Sequence, residues 1–359
     1  MIDPHVHLRD WGEAEKESLV HGMTLAQETG IDAVFDMPNT DPPLTTPETV
    51  KRRLSEAEAI IAELDGPFRY GLFCGATADA EQLEQMVELY HGERLGRNGR
   101  AVGIVGFKMY AGPSTGTLAA SAVEAQRFVY ATLTGLGYGG VICVHCEKES
   151  LFRRRPDGSV DWDPEHPRTF AHARPPESEV ESVRDQIDAA EAAGFGGTLH
   201  VAHVSVPETV QLIESARERV GFRISCEATP HHLLFSEDAL GRPQGMLFKT
   251  NPPLRPEVMR AELYAQLTEG RIDFVASDHA PHTIEDKLER HASGMPGVGV
   301  MHSMRARLER EALDGRLIAR LFHRGAEEVY GVEIGEEARV TRPEAQLEYP
   351  ANPYALDEI

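Results

Sequence analysis

Short runs of β-type residues recur along the chain, and the stretches between them carry apolar positions at helical spacing. The runs that read as strands are Ile2 to His7, Ile31 to Met37, Arg69 to Ala76, Ile104 to Tyr110, Gly140 to Cys146, Gly197 to Val204, Arg223 to Pro230 and Asp273 to His279. Amphipathic stretches lie at Pro47 to Leu64, Ala80 to Tyr90, Pro176 to Ala193, Pro207 to Val220 and Glu257 to Thr268. Several open on a proline, which suits the first turn of a helix. No internal repeat or Gly/Ser-rich linker divides the chain. Eight strands alternating with helices predict an α/β fold, a (β/α)8 barrel of TIM type over residues 1–330, with a C-terminal tail, 331–359, packed on it. The alternative is an open doubly wound sheet, which wants a Gly-rich phosphate turn after its first strand. Here that turn reads HLRDWGE, and the GYGG near Gly140 precedes a strand instead of following one.

A barrel places its chemistry at the C-terminal ends of its strands, and residues of metal-binding type collect there. The first run holds Asp3-Pro4-His5-Val6-His7; residues two apart in a strand face one side, so His5 and His7 can reach one metal together. A lone histidine is more often a core or surface residue, and a His-x-His pair by itself is as often not a site as a site. The fourth run, IVGFKMY, puts Lys108 among apolar residues, where an unpaired ammonium is costly. It is either salt-bridged or snorkelling, or its amine has taken up carbon dioxide as a carbamate, an anionic ligand able to bridge two cations. That reaction needs the neutral amine, which burial favours. His145 ends the fifth run, His200-Val201-Ala202-His203 the sixth, and Ser277-Asp278-His279 the eighth. Spacing turns His200 to the other strand face from His203, so His200 reads as core. Cys143 and Cys146 also allow a thiolate pair, but no second cysteine pair completes a structural zinc site.

Composition narrows the partners. A chain of 359 residues with 41% hydrophobic content fills a large barrel, and its formal charge of −22 argues against nucleic acid. Of 36 basic residues six are lysine, a bias explained either by high internal salt or by genomic base composition. The opening MIDPHVHLRDWGE has no signal-peptide h-region and no apolar run reaches the ~18 residues of a membrane span, so a cytoplasmic protein is expected, with Cys74, Cys143, Cys146 and Cys226 as reduced thiols.

The order His-x-His, Lys, His, His, Asp at the ends of strands one, four, five, six and eight resembles the amidohydrolase superfamily. The blocks HLRD, MPNT, FK-x-Y, TPHHL, NPPLR and DHAPHT, within His5 to Asp10, Met37 to Thr40, Phe107 to Tyr110, Thr229 to Leu233, Asn251 to Arg255 and Asp278 to Thr283, resemble the dihydroorotases. The resemblance implies reversible cyclisation of N-carbamoyl-L-aspartate to L-dihydroorotate in pyrimidine biosynthesis. It further implies that His5, His7 and Asp278 hold one metal, His145 and His203 a second, and carboxylated Lys108 bridges them; the donor set suits Zn²⁺. Asp278 is then the general acid/base. Arg9, Asn39 and His282 grip the substrate carboxylate, with Asn251 near the ring. A lid loop, AGPSTGTL, covers the ligand with Ser114 or Thr115 and hinges at Gly112 and Gly116.

Hydantoinases, dihydropyrimidinases and allantoinases share the metal ligands, so the substrate is read from Arg9. It lies two residues beyond His7, on the same face, with a planar fork matched to a carboxylate. A catalytically silent dihydroorotase-like scaffold is an answer of a different class, separable by metal analysis. The resemblance allows a homodimer and association with aspartate transcarbamoylase. Three departures stand out. With the first ligand at residue 5, the β-sandwich of longer members is expected to be missing or vestigial; Lys108 places the chain with the carbamylated kind; and Trp11 stands where relatives usually have proline.

Overall fold

The computed structural model describes residues 1–113, 118–336 and 349–356. Each predicted run contains a strand: β1 (Ile2–Val6), β2 (Ala33–Asp36), β3 (Arg69–Gly75), β4 (Val102–Ala111), β5 (Val141–Cys146), β6 (Thr198–Val201), β7 (Arg223–Ala228) and β8 (Phe274–Val275). They pair in parallel and in sequence order. At the seam between β8 and β1, Val6 bridges His279, and the His7 amide donates to the His279 carbonyl at 2.7 Å. The Ser277 amide donates to the Asp3 carboxylate at 2.9 Å, tying the ends of the sheet into a barrel.

The five predicted helices form over Pro47–Glu63, Ala80–Glu93, Pro176–Ala193, Pro207–Arg217 and Glu257–Thr268. Thr46 caps the first through a reciprocal pair with Thr49, and Asp79 caps the second by accepting from the Glu81 and Gln82 amides. Such caps satisfy amides that have no partner inside the helix. The barrel interior is filled by Ile2, Phe35, Phe73, Val105 and Phe274, closed beneath by Tyr330, whose ring meets those of Phe35 at 5.0 Å and Phe73 at 5.7 Å edge-on. Gly71 is required here, because a Cβ would run into the Phe35 ring and Val105. A separate cluster joins Phe235, Phe248 and Tyr354, with the Tyr354 ring 5.3 Å from that of Phe235.

β1, β2, β3 and β7 end a residue or two before the predicted runs do, and β6 and β8 stop furthest short, each ahead of a left-handed residue. His203, after β6, has φ 37° and Asp278, after β8, has φ 48°; both lie in the left-handed region that a residue with a side chain enters at a cost. Arg9, Asp10 and Trp11 follow β1 with φ 32°, 72° and 49°. Proline, fixed near −65°, does not fit the Trp11 backbone of this loop. The Trp11 ring lies under the Arg52 guanidinium at 4.5 Å and its Nε1 donates to Glu56 at 2.9 Å. Among the described residues, no helix is long and apolar enough to cross a membrane.

Candidate metal centre

At the C-terminal mouth of the barrel, one pocket is lined by nine of the ten residues singled out from the sequence: His5, His7, Arg9, Asn39, Lys108, His145, His203, Asn251 and Asp278. The exception is His282, which lies behind Arg9. His5 and His7 both present Nε2 to Asp278 Oδ1, at 3.2 and 3.1 Å, and ligand atoms of the three lie within 4.8 Å of one another. The other ring nitrogens are held from behind. His5 Nδ1 bonds Glu227, and His7 Nδ1 meets Asn39 Oδ1 at 2.6 Å. An acceptor at Nδ1 keeps the proton there and turns the Nε2 lone pair toward Asp278, as a metal site requires.

The second half of the site repeats this logic. His145 Nδ1 and His203 Nε2 face each other at 3.0 Å, while His145 Nε2 lies 3.1 Å from Glu147, whose carboxylate is gripped by Arg174. His203 Nδ1 is buried without a partner. Burial, with Lys108 nearby, holds both His5 and His145 below the ordinary histidine range, and burial with His145 beside it drives His203 much further down. Neutral imidazoles are the ligand form. Burial alone would raise the Asp278 carboxyl, but His5, His7 and His203 outweigh it and hold Asp278 well below the usual range.

Lys108 is 1% exposed and makes one weak polar contact, to Cys143 Sγ at 3.7 Å. No carboxylate lies within salt-bridge distance of it among the described residues, which removes the salt-bridged reading. A carbamate would replace this uncompensated cation by an anion facing four imidazoles. Donor types, tautomers and a buried lysine without a carboxylate or carbonyl partner among the described residues together fit a pair of bound cations. Cys143 packs in the barrel interior and Cys146 outside it, so they do not form a pair.

The predicted substrate contacts divide. Arg9 is 2% exposed, and its Nη1 is buried without a hydrogen bond, 3.7 Å from the Glu13 carboxylate. Its Nη2 lies 3.3 Å from His282 Nε2, which donates to the Ser293 carbonyl at 3.0 Å. With that nitrogen protonated, His282 packs behind Arg9 without accepting from it, Arg9 Nε donates instead to the Pro281 carbonyl at 3.4 Å, and burial beside Arg9 pushes the His282 pKa far down. Asn39 places its side-chain carbonyl on His7 Nδ1. Asn251 Oδ1 is buried without a partner in the pocket wall. Gly112 is described and packs on the Glu147 backbone; Ser114, Thr115 and Gly116 lie outside the described residues.

Sequence reasoning missed Glu227 and Tyr110. Glu227, inside β7, bonds His5 Nδ1, lies 3.0 Å from His200 Nε2 and accepts from the His203 amide at 3.1 Å. Burial would raise its carboxyl, yet His5 and His200 pull it down to about 2. A lone carboxylate in the apolar run RISCEA was the available signal, of the same kind as Lys108. His200 is core as expected, but it points into the barrel: it stacks on Phe274 at 4.9 Å and bonds Ser225 at 2.9 Å. The positive φ at His203 brings both side chains inward despite their odd spacing. Tyr110 carries a buried hydroxyl without a partner in the same pocket.

No family model matches the sequence. The chain is 35% identical over 300 residues to the dihydroorotase of Thermococcus kodakarensis, covering 83% of this chain and 59% of that one. It is 32% identical over 301 residues to the dihydroorotase of Halobacterium salinarum (83% and 63%) and 32% identical over 308 residues to that of Thermus aquaticus (83% and 66%). The chain thus spans somewhat under two thirds of the length of these curated relatives. Among solved structures, the L-hydantoinase of Arthrobacter aurescens superposes with TM-score 0.74 at 21% identity, covering 94% of this chain and 73% of that one. A dihydroorotase from Campylobacter jejuni superposes with TM-score 0.66 at 17% identity, covering 93% and 84%. These structural likenesses establish the barrel; the sequence likeness, carried over most of that barrel, makes the chain a member of the dihydroorotase family.

Proposed function

We propose that this protein is a metal-dependent dihydroorotase, interconverting N-carbamoyl-L-aspartate and L-dihydroorotate. The carrying observation is the buried Nη1 of Arg9, which makes no hydrogen bond and has only a long ion pair to Glu13 at 3.7 Å, at the rim of a mouth formed by His5, His7, Lys108, His145, His203 and Asp278. Uncharged rings such as hydantoin and dihydrouracil give that guanidinium nothing to bind, whereas the ring carboxylate of dihydroorotate does. In this reading His5, His7 and Asp278 would hold one Zn²⁺, His145 and His203 would hold the other, and Lys108, once carboxylated, would serve as a ligand shared by both. When bound, the ions supply Lewis acidity toward the scissile amide.

The chain's own residues do the rest. Arg9 docks the carboxylate, and Asn251 and Tyr110 offer polar atoms to the ring. Asp278, anionic at neutral pH, takes the proton of the attacking water and delivers it to the departing ring nitrogen; ring closure runs the same transfers backwards. Glu227 and Asn39 keep the His5 and His7 lone pairs aimed.

A coupled assay of the purified protein against dihydroorotate, hydantoin, dihydrouracil and allantoin tests the assignment. Turnover of dihydroorotate far above the others is expected, and preference for an uncharged ring overturns it. Elemental analysis should find two ions per chain, and intact mass under gentle conditions one carbon dioxide on Lys108. A metal-free, inactive protein would point to a scaffold. A cytoplasmic homodimer, alone or with aspartate transcarbamoylase, completes the proposal; size-exclusion chromatography with and without that enzyme checks it.

A further inference from the structure

At the opposite end of the barrel, where the strands begin, lies a hollow of about 1030 Å³. Arg69 opens β3 and Arg223 opens β7, while Arg94, Arg97 and Arg100 come from the segment RLGRNGR that leads into β4. That segment coils tightly through Gly96, Asn98 and Gly99, with φ 76°, 56° and 75°, which brings its arginines to one side of the hollow. Gathering five guanidinium groups in one place is unfavourable in itself, and it happens here in a chain whose formal charge is −22.

The charges are poorly compensated. Arg100 pairs with Glu93. The other four bond main-chain carbonyls: Arg69 that of Phe68 at 3.3 Å, Arg94 those of Tyr330 and Gly331 at 3.4 and 3.3 Å, Arg97 that of His91, and Arg223 that of Glu328 at 3.1 Å. Among the described residues none of these four has a carboxylate within salt-bridge distance, and Glu333 is the one acidic residue in the lining. A carbonyl orients a guanidinium without neutralising it, so most of the donors remain for an anion. Leu95, Val329 and Val332 add an apolar wall, and the volume is that of a site for a whole small molecule.

We propose that this hollow binds a phosphorylated ligand of nucleotide size, with its phosphates on Arg94, Arg97 and Arg223 and its base or other apolar body on the wall. Planar guanidinium forks match phosphate oxygens two at a time. No residue of the metal centre takes part, so the site stands or falls independently of the dihydroorotase assignment.

Isothermal titration of the full chain at low salt, with inorganic tripolyphosphate and with each of the four ribonucleoside triphosphates as probes, tests the proposal. At least one nucleotide should bind more tightly than tripolyphosphate. Arg97→Gln and Arg223→Gln should each weaken it about tenfold, the worth of one charge-assisted contact. Both are exposed, so they carry the test if Arg94→Gln fails to fold. Arg305→Gln, on an exposed helix and paired with Glu309, should leave affinity unchanged. Metal content measured after titration should not fall. No binding at millimolar probe, binding indifferent to the hollow variants, or binding that tracks metal loss would each overturn the site. Nucleotides no tighter than tripolyphosphate would overturn the role of the apolar wall.

Discussion

Glu227→Gln isolates what a carboxylate beneath the ligands contributes. The amide keeps the shape of the side chain. Its carbonyl can still accept from His5 Nδ1 and from the His203 amide, now 3.1 Å away, and its NH₂ can donate to His200 Nε2 once that ring keeps its proton on Nδ1, facing Ser225. Every hydrogen bond therefore has a replacement, and only the charge is lost. Bonds to a charged acceptor are worth ~1.5 to 3 kcal/mol against ~0.5 to 1.5 for neutral ones, so two weakened bonds remove ~1 to 3 kcal/mol of support for the His5 ring and the His203 main chain. Zinc affinity should fall ~10- to 100-fold, the usual cost of losing a partner behind a ligand. Competition against a chelator of known affinity measures this, and activity should return when Zn²⁺ is added in excess. Glu227→Ala leaves His200 Nε2 and the His203 amide unsatisfied and should lower the melting temperature as well. If Glu227→Gln holds zinc within about twofold of the parent while His5→Ala loses it, the carboxylate serves packing alone and the reasoning fails.

Other outcomes follow from the same geometry. Arg9→Met should reduce kcat/KM for dihydroorotate by ~30-fold to several thousand-fold, corresponding to ~2 to 5 kcal/mol for a stripped buried charge; metal content and trace turnover of an uncharged imide should persist, and equal losses on both would make Arg9 structural. Asp278→Asn should cost at least ~10² in turnover while keeping substantial metal, and near-normal turnover removes it from proton transfer. Glu17, buried between His279, His21 and Tyr349, would be raised by burial but is carried down to about 2 by these partners. A carboxyl depressed on folding stabilises above its unfolded pKa near 4.5 and loses that contribution as pH falls toward 2. Denaturant midpoints should therefore drop across this window, and Glu17→Gln should flatten the drop by on the order of 3 kcal/mol. Stability should also rise from low to molar salt as the −22 charge is screened; a flat response favours base composition as the source of the arginine bias.

Strand and helix periodicity made the barrel legible, because a parallel sheet buried on both faces writes itself as apolar runs between amphipathic stretches. The pocket-lining histidines, Lys108 and Asp278 were legible because polar residues at the ends of such runs have no structural reason to recur. What stayed hidden depends on contacts distant in sequence or on backbone turns. Glu227 lies inside its strand instead of past its end, so a search of strand ends passes over it. The side His203 faces follows from a φ that no residue type announces, and the sequence does not reveal that Asn39 meets His7 or that His282 lies against Ser293 and Arg9. The basic hollow was written in RLGRNGR, but arginines three apart do not reveal that Arg69 and Arg223 join them.

The seam between β8 and β1 is also where one half of the proposed metal centre comes together. His5 and His7 come from one side of it and Asp278 from the other, 271 residues later in the case of His7. Closing the sheet therefore also brings these three candidate ligands together, and it carries the loop-closure entropy of contacts distant in sequence. A barrel fastened by a short bridge and a few hydrogen bonds gains most from whatever grips both sides at once, and a cation held by His5, His7 and Asp278 would be such a rivet. Ion binding then feeds directly into cohesion of the whole domain, and chelation should loosen the barrel at its first and last strands before anywhere else, as faster amide exchange at Val6 and His279.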